Sequence, residues 1–262
     1  MTQYDFTSKT VLVSGAGGGI GLAAAKRFAD AGANLVLTDR TDETLHPAKT
    51  ALQQKYPCIF LSGDVTRETL HLELAAAAIE TFGRLDIALN NAGIVQSQQR
   101  LEDISADDAR KVLEVDVMAV LHAMKAQLPI MREQFEKTGD GGVILNTASV
   151  AGLVGAPTLS VYGAAKHAVI GLTRAAAIEY ARKGIRINAI CPAFTRTAML
   201  EIPLSESPHG RETAKKKLIS NIPMARVGEV DEIVQAMLWV CSPENSFYTG
   251  QALALDGGLS AG

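Results

Sequence analysis

An α/β fold with a parallel sheet and helices on both of its faces is what this sequence predicts, and three observations predict it. Short apolar runs of β type recur between longer Ala-rich stretches of helical type, the pattern of parallel strands joined by crossover helices. Most of the short runs are continuously apolar, as strands are when helices cover both faces. Glycines stand just past the helical stretches, where a chain leaves a helix through a left-handed conformation. The length of 262 residues suits one large α/β domain or two small ones.

Taken in order, seven strands are predicted: Thr10 to Ser14, Leu35 to Thr38, Ile59 to Ser62, Leu85 to Asn90, Val143 to Thr147, Ile185 to Ile190 and Ala252 to Leu255. Helices are predicted over Leu22 to Ala31, Glu68 to Phe82, Ala106 to Glu136, Val161 to Lys183 and Val230 to Cys241, with Gly32, Gly83, Gly139 and Gly184 after the first four. Ser105 followed by Asp108 reads as a capping box with Asp in the usual Glu position. Thr197 to Ile222 breaks the alternation with Pro203, Pro208, Gly210 and the triplet Lys215 to Lys217. A segment of that length is a mobile lid or a helical excursion, and its lysines read as a solvated face.

Composition narrows the function. A net charge of −3 and a pI near 6.0 give no dense positive field for nucleic acid or an anionic membrane, which favours small-molecule chemistry. Cys58, Cys191 and Cys241 lie too far apart for a disulfide framework or a zinc site, and read as buried small hydrophobes in a reducing compartment with no metal. The first residues lack the basic patch and apolar run of a signal peptide, so a cytoplasmic protein is expected. Gly141 to Ala165 contains no charged residue, yet its glycines, Pro157, Asn146, Thr147, Ser149 and Tyr162 argue against a membrane span.

The chemistry gathers at strand ends, where open α/β sheets bind ligands. After the first strand comes Ser14-Gly15-Ala16-Gly17-Gly18-Gly19-Ile20-Gly21, then a helix. Such glycines let the backbone turn tightly and approach a pyrophosphate held on the helix N-terminus. Asp39, eighteen residues after Gly21, is placed to accept hydrogen bonds from an adenosine ribose and to repel a 2′-phosphate. It favours NAD over NADP, with Arg40 softening that repulsion. Gly63-Asp64-Val65, Asn90-Asn91-Ala92-Gly93 and Asn146-Thr147-Ala148-Ser149 outline the rest of a cleft. Tyr162 and Lys166 share a helix face, and an ammonium beside a phenol stabilises the phenolate, making Tyr162 a candidate acid/base. Ser149 is placed to hydrogen-bond the same substrate oxygen.

Ser14-Gly15-x-x-x-Gly19-Ile20-Gly21, Asn90-Asn91-Ala92-Gly93, Ser149, Tyr162-x-x-x-Lys166, Cys191-Pro192-Ala193 and Asp256-Gly257-Gly258 together resemble the short-chain dehydrogenase/reductase family, in order and spacing, over essentially the whole chain. The resemblance implies one doubly wound Rossmann-type domain around a seven-stranded parallel sheet, an NAD(P)-dependent oxidoreductase, and a homotetramer or homodimer. It implies that Tyr162 exchanges a proton with the substrate oxygen, that Lys166 holds the nicotinamide ribose, and that Ser149 orients the carbonyl. By the same resemblance Asp64 and Val65 frame the adenine, Asn90, Ala92 and Gly93 the adjacent ribose, and Pro192, Thr195 (through its backbone) and Thr197 the carboxamide side.

Three positions depart from the family pattern. Ser14 stands where Thr is usual, and Ala193 where Gly is usual. Asp116, in Val115-Asp116-Val117, stands where the family has an asparagine that holds a relay water near the lysine. An ionised Asp accepts hydrogen bonds but donates none, and its charge favours a protonated Lys166. Activity is therefore expected to be retained. Ile94, Val95, Gln96, Ala151, Leu153, Phe194, Met199 and Leu200 are the expected substrate wall, suited to a hydrophobic, cyclic secondary alcohol or ketone. Two alternatives stay open: an NADPH-dependent 3-oxoacyl-thioester reductase, in which Arg40 and the basic lid receive phosphates, and a non-catalytic NAD-binding regulatory protein.

Overall fold

The computed structural model describes residues 4–205 and 210–262, so Pro208 lies outside the described residues. Strands β1 (Thr10–Ser14), β2 (Asn34–Asp39), β3 (Cys58–Ser62), β4 (Ile87–Asn90), β5 (Gly142–Thr147), β6 (Ile185–Pro192) and β7 (Ala252–Leu255) form one sheet in the order β3-β2-β1-β4-β5-β6-β7. Every pairing is parallel. The sheet grows one way from β1 to β3, then the other way from β4 to β7. Between β1 and β4 lies the switch point at which doubly wound folds bind ligands.

The helices are α1 (Gly19–Asp30), α2 (Asp42–Leu52), α3 (Glu68–Phe82), α4 (Ala106–Leu113), α5 (Ala119–Thr138), α6 (Ser160–Tyr180), α7 (Ala198–Ser205), α8 (Arg211–Ile219) and α9 (Val230–Cys241). Side chains of a strand alternate between faces, and the sheet is apolar on both. Val11, Val13, Leu35, Leu37, Leu89 and Leu145 pack with Phe28 of α1, Leu45 of α2 and Ile233 of α9. Their neighbours Leu12, Val36, Ala88 and Ile144 pack with Leu74 of α3, Met131 of α5 and Val169 of α6 on the opposite face. This is the Rossmann-type architecture, with a helical layer on either side of the sheet. Among the described residues no helix is long and apolar enough to cross a membrane, and Gly141 to Ala165 divides into β5, a turn and the start of α6.

Several elements differ from the sequence expectation for identifiable reasons. Helix α2 is unpredicted because its apolar face is short and Pro47 interrupts it; a reciprocal capping box between Thr41 and Thr44 opens it. Helix α1 begins at Gly19, within the glycine loop. The expected long helix from Ala106 is α4, a π-helical turn over Glu114–Met118, and α5. The Ser105–Asp108 capping box is only half formed: Ser105 Oγ accepts the Asp108 N–H, but among the described residues no return bond reaches the Ser105 N–H. The segment from Thr197 takes the helical of its two expected forms, with α7 and α8. Gly83, Gly139 and Gly184 do end their helices in the left-handed conformation.

Candidate active site

The glycine loop joins β1 to α1 beneath α2. A side-chain carbon on Gly17 would stand 2.0 Å from the Thr44 carbonyl oxygen, and one on Gly21 would stand 2.1 Å from the Gly15 carbonyl oxygen. Only glycine allows those approaches. Gly18 faces open space, no side chain caps the α1 N-terminus, and no acid sits in its first turn. Free N–H groups and the positive end of the helix dipole therefore face an opening, the arrangement that receives a phosphate. These residues fit a dinucleotide. The Ser14 hydroxyl serves the framework instead: it accepts the N–H groups of Asn91 and Ala92 at 3.0 and 3.1 Å, fastening the loop after β4 to the end of β1.

Asp39 closes the same loop. Its Oδ2 accepts the Gly17 N–H at 2.9 Å and its Oδ1 the Arg40 N–H at 2.8 Å. A carboxylate offers about four lone-pair positions, so acceptor capacity remains for ribose hydroxyls. Arg40 lies exposed at the rim. Asp64 is exposed and accepts the Thr66 N–H in a turn at 2.9 Å. Val65 is half-buried, its carbonyl 2.7 Å from Nε2 of the buried His71. Burial holds the His71 imidazole below the ordinary histidine value, in spite of that bond.

Asn90 does not face the cleft with its side chain. Its amide donates to Asn146 Oδ1 at 2.9 Å and accepts from Gln127 Nε2 at 2.8 Å, and Asn146 donates onward to Thr173 Oγ1 at 3.0 Å. Buried amides must be paired, and this set pairs itself. Any contact of Asn90 with a ribose falls to its main chain. Gln127, an amide among the apolar residues of the inward face of α5, was the available signal for this network. Asn91, to which the sequence assigned no role, also braces the loop: its Nδ2 donates to the Ser14 carbonyl at 3.1 Å.

On the other side of the switch point, α6 presents Tyr162 and Lys166 one turn apart, and the turn after β5 presents Ser149. The π turn between α4 and α5 directs one residue inward, Asp116, which is fully buried. Lys166 Nζ lies 3.1 Å from Asp116 Oδ2, donates to the Thr147 carbonyl at 3.1 Å, and stands 5.5 Å from the centre of the Tyr162 ring. Asp116 Oδ1 accepts the Ile94 N–H at 2.8 Å. Gly93 lies against both groups: a side-chain carbon there would be 3.3 Å from Lys166 Nζ. Burial opposes the charge on Lys166, yet the facing Asp116 and Tyr162 hold its ammonium above the ordinary lysine value.

Tyr162 is half-buried, and its hydroxyl has no protein partner among the described residues. Ser149, 8% exposed, accepts the Ala151 N–H at 3.2 Å and lies 3.5 Å from the Pro192 carbonyl. A hydroxyl acid/base, a buried cation behind it and a second hydroxyl beside it can move a proton to or from one oxygen and stabilise the charge that develops there.

Across the cleft, β6 runs through Pro192 to Ala193, which keeps a negative φ and so needs no glycine. A parallel bridge ties Thr195 to Gly228 through bonds made by its neighbours, Phe194 carbonyl to Gly228 N–H and Arg196 N–H to Gly228 carbonyl. The Thr195 hydroxyl turns back to the Ala193 carbonyl at 3.1 Å. Thr197 stands opposite the glycine loop, 3.5 Å from where a side chain on Gly19 would begin. Arg196 joins Glu229 to Glu201 of α7, and Glu201 also pairs with Arg211 of α8.

The expected substrate wall is only partly assembled. Ile94, Val95, Phe194 and Leu200 are half-buried, and Met199 is 48% exposed on α7. Gln96 is buried with its Oε1 accepting the Tyr162 N–H at 2.8 Å, so it caps α6. Leu153 packs against the core. Ala151 lines an open depression of about 370 Å³ with Ser160, Gly163 and His167, which includes neither Ser149 nor Tyr162. Among the described residues no cluster of metal-ligating side chains occurs.

The family model described as enoyl-(acyl carrier protein) reductase matches residues 15–260. Levodione reductase of Leifsonia aquatica is 38% identical over 260 residues, covering 98% of this chain and 96% of that protein. A 2,5-dichloro-2,5-cyclohexadiene-1,4-diol dehydrogenase of Sphingobium indicum is 37% identical over 258 residues, covering 98% of this chain and 99% of that protein. A solved structure of NAD+-bound xylitol dehydrogenase superposes with a TM-score of 0.90 at 33% identity, covering 97% of this chain and 99% of that one.

Proposed function

Because the chain belongs to the short-chain dehydrogenase/reductase family of NAD(P)-dependent oxidoreductases, we propose that it interconverts a hydrophobic, cyclic secondary alcohol and its ketone, with NAD as the preferred dinucleotide. The observation that carries the proposal is the unpartnered Tyr162 hydroxyl beside the buried Lys166 ammonium, at the mouth of a glycine cradle open to a pyrophosphate.

When bound, the nicotinamide supplies the hydride to the carbonyl carbon, or accepts it in the reverse direction. Residues 15–21, with Ile20 and Gly21 at the helix start, hold the pyrophosphate through backbone N–H groups. Asp39 would accept the ribose hydroxyls, Asp64 and Val65 would border the adenine, and the main chain of Asn90, Ala92 and Gly93 would border the next ribose. Pro192, Thr195 and Thr197 close the carboxamide side. In reduction, Tyr162 gives its hydroxyl proton to the carbonyl oxygen as the hydride reaches the carbon, leaving a phenolate and an alcohol. Ser149 turns its hydroxyl from Pro192 to donate to the same oxygen. Lys166 spends one N–H on Thr147 and directs another at Asp116, leaving a third of its three donors for the nicotinamide ribose. Oxidation reverses each transfer.

Two considerations support the finer points. The Asp39 carboxylate would meet a 2′-phosphate with like charge, and the related xylitol dehydrogenase is NAD+-bound in its solved structure. Ile94, Val95, Phe194 and Leu200 offer apolar surface, and two relatives act, by their names, on a cyclohexadienediol and on cyclohexanol. The test is the rate of reduced-dinucleotide formation with a series of cyclohexanols and cyclohexanediols, using NAD and NADP in parallel. Turnover with at least about a tenfold preference for NAD in kcat/KM is expected, the effect of more than 1.4 kcal/mol of differential binding. An NADP preference refutes the assignment to NAD, and activity confined to acyclic substrates refutes the assignment to rings.

A further inference from the structure

The acid/base group of this site stands beside an ammonium whose own charge is already answered. Asp116 is buried with 0% exposure, Lys166 with 4%, and their charged atoms are 3.1 Å apart. The π turn that brings Asp116 inward and the Ile94 N–H that holds its Oδ1 fix the carboxylate in place. Its Oδ2 faces the Lys166 ammonium at 3.1 Å and is paired with no other group among the described residues.

We propose that Asp116 cancels the field of Lys166 at Tyr162, so that the phenol keeps its proton to higher pH than it would beside an unpaired lysine, poising the site for carbonyl reduction near neutrality. The inference rests on Tyr162 being the acid/base group. With an uncharged residue at position 116, loss of the tyrosine proton takes the cluster from one positive charge to none. With Asp116 it takes the cluster from neutral to one uncompensated negative charge beside the buried pair, the costlier change.

Neighbouring groups leave that balance in place. From β6, Cys191 faces the same ammonium, but burial pushes its thiol up to about 12, so it is uncharged at working pH. Arg174 of α6 and Asp256, just past β7, act on Cys191 with opposite signs. From β5 the contact is the neutral Thr147 carbonyl. His167, also on α6, turns away and bonds the Gly163 carbonyl.

The test reads the phenolate directly, in the protein without dinucleotide or substrate. Near-ultraviolet absorbance is titrated against pH for the unmodified chain, D116N, D116S and Y162F, the last isolating the Tyr162 signal from the other four tyrosines. Asn keeps the acceptor for Ile94, and Ser removes the charge with a smaller side chain. In both, the Tyr162 titration is expected to move to lower pH by about one unit or more, as loss of a nearby like charge requires. The acid limb of alcohol oxidation is expected to move with it. Unmoved titration in the folded variants overturns the proposal, even if their turnover falls, because a packing role lowers rate without moving a phenolate. If the titration moves as expected but no cyclic alcohol is turned over, Asp116 keeps this role and the substrate reading fails.

Discussion

Single residues carry this site, and each one's environment decides what it does. Tyr162, Lys166 and Ser149 were legible as a spacing, because a helical repeat puts the first two on one face. Asp116 was legible through the resemblance as a charge near Lys166, but not as a direct ion pair, since the π turn that faces it inward leaves no periodic signature. Gln96 was expected on the substrate and instead caps α6 under Tyr162. Asn90 was expected at the ribose and spends its side chain on the buried amides. Polar type and strand-end position do not reveal which way a side chain turns. At the glycine cradle the outcome follows from distance. Gly21→Ala would place a carbon 2.1 Å from the Gly15 carbonyl, and overpacking of that kind costs about 1–3 kcal/mol. A lowered urea midpoint together with weakened dinucleotide binding is expected by fluorescence titration; unchanged binding would show that the cradle does not hold the phosphates.

At the scale of elements, strands and long helices were readable from apolar pattern and glycine stops. Helix α2 was not, because its apolar face is short and holds Pro47, and for the segment of α7 and α8 proline and charge left a lid and a helical excursion as equal readings. Helix α9 shows how an end is held. Glu232 accepts the Glu229 N–H at 2.8 Å and pairs with Arg226, and the Arg226 guanidinium and that N–H bring its carboxyl down to about 2 from 4.5. A carboxyl with a depressed value stabilises the fold above its unfolded value and loses that contribution as pH falls through the folded one. The pair is largely exposed, so solvent limits its worth to about 1 kcal/mol or less. Glu232→Gln is therefore expected to lower the urea midpoint slightly at pH 6 and by less than about half as much at pH 3. An equal difference at both pH values would show that charge at this cap contributes nothing.

Over the whole molecule, one parallel sheet with apolar layers on both faces places every strand end of interest on a single edge. In the proposed function the switch point between β1 and β4 divides the labour: the loops after β1 and β2 would serve the dinucleotide, and the turn after β5 with α6 the reacting oxygen. That division follows from strand order, which apolar runs alone do not encode, and it came from the resemblance of the motifs taken together. Its most direct test is to compare the unmodified chain with Tyr162→Phe, measuring reduced-dinucleotide formation from cyclic alcohols and dinucleotide binding by fluorescence. Turnover is expected to fall by about 10²–10⁴, the usual contribution of a positioned acid/base group, with binding changed less than about threefold, well under the tenfold of 1.4 kcal/mol. Undiminished turnover in the variant would contradict the assignment of Tyr162 as the group that moves the proton.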